Sequence, residues 1–169
     1  MRFLIACIVT LLLPAAATAC DQIGSRFQYC FDGTPWAAAE IESFGDGATY
    51  HLGALTLDQI EPYPGRSDGP AAEDLATYND FFAIAEDAVL STQEFDRDGK
   101  NGVIQVVEDA DQQTLTARAI VVSGDARVLL WVTAPEGAEE ATVLDHLNAA
   151  ISALSMMCGA DHDPTIYHR

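Results

Sequence analysis

"TLTARAIVVSGDARVLLWVTAP", residues 114–135, holds two apolar runs joined by a turn. Ser123-Gly124-Asp125 is a turn signal, so the two runs should be antiparallel neighbours. Within each run the centre is apolar at successive positions, "AIVV" at 119–122 and "VLLWV" at 128–132. A strand with one wet face alternates apolar and polar residues, and these do not. Both faces of these strands must therefore be covered.

The covers are sought on either side of that hairpin. After Pro70, the residues Leu75, Tyr78, Phe81, Phe82, Ala85 and Val89 recur at steps of three and four, with acids between them. That spacing predicts an amphipathic helix, with Pro70 suited to its first turn. A second helix is predicted from about Glu139, on the stripe Val143, Leu144, Leu147, Ile151 and Leu154, with Gly159 able to cap its end. Strands are expected around "VLSTQEFD", "GVIQVVED" and the two runs above, with short turn-like connections. Upstream, "RFQYCFDG" alternates, so Phe27, Tyr29 and Phe31 share one face and Cys30 lies on the other. "TPWAAAEIESFGDG" reads as loop and turn, with room for one helical turn from Trp36. "ATYHLGALTLDQIEP" reads as one strand or a short hairpin with Gly53 as a bulge. "PYPGRSDGP" reads as a loop. The expected architecture is α+β: an α/β/α sandwich, a single antiparallel sheet covered by helices on both faces.

The first 19 residues read as a leader. Arg2 is followed by the apolar run "FLIACIVTLLL", then Pro14 and the small residues "AAATA". This is the charged, apolar and cleavage pattern of a secretory signal peptide. The expected organisation is therefore a signal peptide over 1–19 and one globular domain over 20–169, exported to the periplasm. Cleavage after Ala19 makes Cys20 the first mature residue, which leaves Cys20 as a possible lipidation site and a lipid anchor to the envelope as the alternative. Ala17 stands where lipoprotein leaders usually carry Leu, which favours the unanchored product.

Removing the leader takes away Arg2 and no acid, so the net charge moves from −18 to −19. Such a balance repels nucleic acid and anionic lipid alike. The acids are spread along the chain, which reads as solvated surface and not as an acidic tail. Three cysteines remain: Cys20, Cys30 and Cys158. An oxidising compartment favours pairing, and sequence leaves the connectivity open. If Cys20 is lipidated only Cys30–Cys158 remains, and if it is not all three pairings are open; across the two cases Cys30–Cys158 is the expected disulfide.

Chemistry is sparse. "DRDGKNG", 96–102, has calcium-loop spacing at its start, but position 105 is Gln where a late Glu is needed, so it reads as a hairpin turn. Cys158, Asp161, His162, Asp163 and His168 gather metal-ligand residue types in what reads as a solvated tail. His51 and His146 read as surface or boundary residues. Asp145 and His146 are adjacent on a helix and point apart. The nucleophile-elbow, zinc-protease and phosphate-loop motifs are missing. No catalytic residue, metal ligand or cofactor is assigned.

The order of elements resembles one known family. An early aromatic strand, "TPW", a middle helix, a meander, then "LLWVTAP" and the closing helix "VLDHLNAAISAL" are similar to the PsbP-like family of small exported domains. The resemblance covers nearly the whole mature chain. It implies an α/β/α sandwich without catalysis, acting as a binding or assembly accessory. It supplies no site residues, and this chain lacks the basic docking surface some such domains use. The expected function is an exported, non-enzymatic accessory or binding domain assisting an envelope complex, with an unassigned protein or small-molecule partner. The alternative is a small periplasmic hydrolase or metal-binding protein built from scattered Asp and His residues.

Overall fold

The computed structural model describes residues 20–23, 26–44, 47–60, 69–124 and 126–156. Residues 1–19, where the signal peptide is expected, residues 61–68, and residues 157–169 with Cys158 and Gly159 lie outside these. In chain order the elements are β1 (Asp21–Ile23), β2 (Phe27–Tyr29), a 3₁₀ turn (Pro35–Ala38), β3 (Glu40–Phe44), β4 (Gly47–Leu52) and β5 (Leu55–Ile60). Then come α1 (Ala71–Phe81), a second 3₁₀ turn (Glu86–Ala88), β6 (Val89–Arg97), β7 (Lys100–Asp109), β8 (Thr114–Ser123) and β9 (Ala126–Pro135). The last two are α2 (Glu140–Ala153) and β10 (Leu154–Met156).

The strands form two sheets, and every pairing is antiparallel. One has seven strands in the order β3-β4-β5-β9-β8-β7-β6, the other three in the order β1-β2-β10. The β6–β9 meander is set by its turns. Asp98 and Gly99 both take left-handed backbone angles, φ 53° and 71°, the combination a two-residue hairpin needs to match strand twist. The 96–102 segment is thus a hairpin turn. Asp109 closes the next turn by accepting from the amides of Asp111 at 3.0 Å and Gln112 at 2.9 Å.

Residues 117–121 and 128–130 are buried without a break, so the centres of β8 and β9 are covered on both faces. On the inner face Val106, Ala117, Ala119, Val121, Leu130 and Val132 pack with Val143, Leu147 and Ile151 of α2 and with Phe27, Tyr29 and Phe31. Each such large side chain taken from water stabilises the fold by about 1.5–3 kcal/mol. On the outer face Val103, Ile120 and Leu129 pack beneath Leu75 of α1. Arg127 anchors the start of that helix through the Asp74 carboxylate and the Gly69 carbonyl.

The expected α/β/α sandwich with a single sheet is not what forms. Strands take 52% of the described residues against 26% for helices, and there are two sheets. The inner face is covered jointly by one helix and the small sheet. α1 covers only the middle of the outer face, and the β3–β5 side of that face is exposed or half-exposed apart from Gly47. The reason lies in the helical stripe. It was expected to run to Val89, but Leu75 is the only buried residue of α1. Phe81 and Phe82 are 78% and 46% exposed. Ala83 leaves the helix at φ 53°, and Val89 is claimed by β6, where it pairs with Val107.

The first third departs in the same direction. "EIESF" is a strand and not a loop. "ATYHLGALTLDQI" is a hairpin, with Gly53 in its turn at φ 62°. Leu154 ends the α2 stripe by starting β10, which pairs with β2. Lys100, the one lysine in the chain, holds that junction by donating to the Leu154 carbonyl at 2.8 Å.

Candidate functional site

The cysteines build the first wall of the site. Cys20 is bonded to Cys30, with Cα atoms 4.4 Å apart. The expected Cys30–Cys158 bond is therefore corrected: the Cys30 sulfur is already taken, and Cys158 lies outside the described residues. Local geometry favours the short loop, because β1 and β2 run antiparallel and bring the two cysteines together just past the Asp21–Tyr29 pair. The Cys20 sulfur cannot carry a lipid thioether while it is in this bond.

That register has a chemical result. Directly opposed residues of an antiparallel pair point to the same side, so Asp21 shares the side of Tyr29, which is wholly buried. Asp21 is thereby carried to the border of an aromatic cluster. Tyr29 stacks on Phe31 with ring centres 4.6 Å apart. Phe31 meets Tyr50 edge-on at 4.9 Å, and Tyr29 meets Tyr50 edge-on at 5.6 Å. Edge-on and offset contacts of this kind add to what burial alone supplies.

The second wall is the 3₁₀ turn. The Thr34 hydroxyl donates to the Phe31 carbonyl at 2.7 Å and accepts from the Trp36 amide at 3.2 Å. The Trp36 indole then donates to the His146 carbonyl of α2 at 2.9 Å, with the His146 ring edge-on at 5.7 Å. Trp36 is fixed at both its backbone and its ring. The third wall is β3, whose Ile41 is directly opposite Tyr50.

Together these elements enclose a cleft of about 110 Å³ lined by Asp21, Phe31, Asp32, Trp36, Ile41 and Tyr50, with Ala37 and Ala39. Asp32 is exposed, Asp21 and Ala39 are half-buried, and the rings form the floor. The Tyr50 hydroxyl is buried and has no hydrogen-bond partner among the described residues, and the same holds for Tyr29. Burial, and then the Asp21 carboxylate, raises the Tyr50 phenol well above its usual range. Burial, and then Tyr50, does the same to Tyr29. Both therefore stay neutral at physiological pH. A neutral phenol can accept a hydrogen bond from a cation, and the two carboxylates make the lining acidic.

The Cys20 and Cys30 sulfurs are in the disulfide. The His146 Nδ1 lies 2.8 Å from the Thr142 carbonyl. His51 lies on the other face of the large sheet, exposed, 3.7 Å from Glu42. Among the described residues no three His, Cys, Asp or Glu side chains converge as a metal site. The tail group Cys158, Asp161, His162, Asp163 and His168 lies outside the described residues. No described helix is long and apolar enough to cross a membrane.

The sequence places Phe27, Tyr29 and Phe31 on one face, and they are buried together. It does not flag Asp21, Asp32, Tyr50 or Ile41, because they meet only through strand pairing. The crowding of six aromatic residues between residues 27 and 50, with Cys30 among them, was the available signal. No protein-family model matches the chain, and no curated protein is similar to it.

Proposed function

We propose that this chain is an exported, non-enzymatic binding or accessory domain of the periplasm, and that its acidic aromatic cleft captures a cationic group. The observation that carries the reading is the buried hydroxyl of Tyr50, unpartnered among the described residues, on a residue that lines the cleft with Asp21 and Asp32. A buried hydroxyl without a partner costs about 1–3 kcal/mol. A bound N–H donor would relieve that cost while its charge is held by the carboxylates. The signal-peptide pattern of residues 1–19 and the Cys20–Cys30 disulfide support export.

The test is titration with methylguanidinium or butylammonium, followed by Trp36 fluorescence in a Trp131→Phe background. Saturable change is expected, with affinity reduced at least ten-fold by Asp21→Asn or Asp32→Asn and unaffected by Asp87→Asn on a distant turn. A flat titration, or one that ignores Asp21 and Asp32, rejects the reading.

A further inference from the structure

The cleft opens beside the edge of the large sheet. β3 is its outermost strand, and all five residues from Glu40 to Phe44 are exposed, Ile41 and Phe44 by 47% each. An edge of this kind presents unpaired amides and carbonyls to any extended chain, and proteins usually protect it. The other edge is protected. β6 carries a register shift between Val89 and Ser91. It is also tied to α2 by Ser91 donating to Glu140 at 2.7 Å and by Arg97 donating to Asn148. β3 has no bulge, proline or lysine.

Its side chains also differ by face. Ile41 shares the inner side with Tyr50 and lines the cleft. Glu40 and Glu42 lie on the outer side, in register with His51 and Thr49. A strand added to β3 would lie about 4.8 Å away. Its residue opposite Ile41 would point to the cleft side, and the residues opposite Glu40 and Glu42 would meet carboxylates. A second copy of this chain is a poor occupant. Pairing β3 with itself about Glu42 sets glutamate against glutamate, which is destabilising, in a protein of net charge −18.

We infer that β3 and the cleft form one recognition surface for an extended basic peptide segment. The segment adds as an eighth strand and inserts an arginine side chain between Asp21 and Asp32 onto the Tyr50 hydroxyl. The inference rests on the cation reading of the cleft and adds the partner to it. Backbone pairing would supply affinity and the cleft would supply side-chain choice. The planar guanidinium, with its several N–H donors, suits two carboxylates and a phenol oxygen better than a neutral side chain does.

The experiment compares three probes by calorimetry on the full mature protein. They are methylguanidinium, a blocked seven-residue peptide with central arginine flanked by lysines, and the same peptide N-methylated at alternate amides in each of its two registers. The plain peptide is expected to bind at least ten-fold tighter than methylguanidinium. One N-methylated register should lose that gain, and Asp32→Asn should weaken both the peptide and methylguanidinium. If both methylated peptides bind like the plain one, strand addition is overturned while the cleft reading stands. If the peptide binds but neither ligand responds to Asp21→Asn or Asp32→Asn, the cleft reading falls with it. If sedimentation shows a dimer that the peptide displaces, the occupant is a second copy and the inference is overturned.

Discussion

Asp21 stands directly opposite Tyr29 across β1 and β2, one residue from the Cys20–Cys30 bond. The bond and the register act together. β1 is three residues long and, among the described residues, has no partner strand on its outer side. So short a strand pairs weakly by itself. The covalent link holds it in place, and with it the carboxylate at the mouth of the cleft.

Opening that loop should cost stability and binding together. The chain-entropy model assigns about 2.5–3 kcal/mol to a loop of this length. Cys20→Ser or Cys30→Ser is therefore expected to lower the unfolding free energy by about that amount in urea titrations. Each should also weaken methylguanidinium, because Asp21 is no longer held. Non-reducing peptide mapping checks the pairing. A linked peptide containing Cys158 and Cys30 would refute it.

Alkaline pH should destabilise the fold through the two buried phenols. Tyr29 and Tyr50 have folded pKa values raised above the 10.0 of a free phenol, mainly by burial. Their contribution is full below pH 10. Above it the unfolded chain releases phenolic protons that the native state keeps, so stability falls as pH rises. Lys100 acts in the opposite sense. Burial lowers its pKa below 10.5, so its contribution rises as the pH approaches that value and is constant beyond it. The net fall should thus steepen above about pH 10.5. Tyr50→Phe removes a hydroxyl that has no partner. It should raise stability by about 1–3 kcal/mol at pH 7 and flatten the decline of melting temperature between pH 10 and 11.5.

Gly102 should not tolerate a side chain. A Cβ there would lie 1.9 Å from the carbonyl oxygen of Ile120 on the neighbouring strand. That atom is backbone and sits in the centre of the sheet. Gly102→Ala is expected to destabilise by about 2 kcal/mol or more, measured by urea unfolding. Gly53→Ala is its control, because nothing lies within 4 Å of the added atom there and only backbone strain is introduced.

Salt should tighten the fold. With a net charge of −18, self-repulsion opposes compaction, and screening over about 0.1–0.5 M relieves it. The melting temperature is expected to rise over that range. The same salt should weaken methylguanidinium binding, since the attraction of the rim is screened too. A melting temperature that stays flat would count against repulsion as a significant term.

Much of the meander was legible because its signals are local. The turns around Gly99, residues 110–113 and Gly124 fall between apolar runs, and the strands end where those turns require. The stripe Val143, Leu147 and Ile151 marked α2 for the same reason: a period of 3.6 can be read within one segment. The stripe after Pro70 misled, because aromatic residues at helical spacing do not say whether anything lies above them. Phe81 and Phe82 keep the spacing and remain exposed.

The sequence by itself determined the acidic balance and the need for cover on both sides of the 119–122 and 128–132 runs. Those follow from composition and local period. Only the tertiary structure decided what supplies the cover, which cysteine Cys30 joins, and that Asp21, Asp32, Trp36, Ile41 and Tyr50 share one cleft. These depend on register between segments that are distant or only weakly patterned. β3, five residues with no buried side chain, carries no period to read. It is a strand because β4 offers it a ladder of hydrogen bonds, and that partner exists only once the chain has folded.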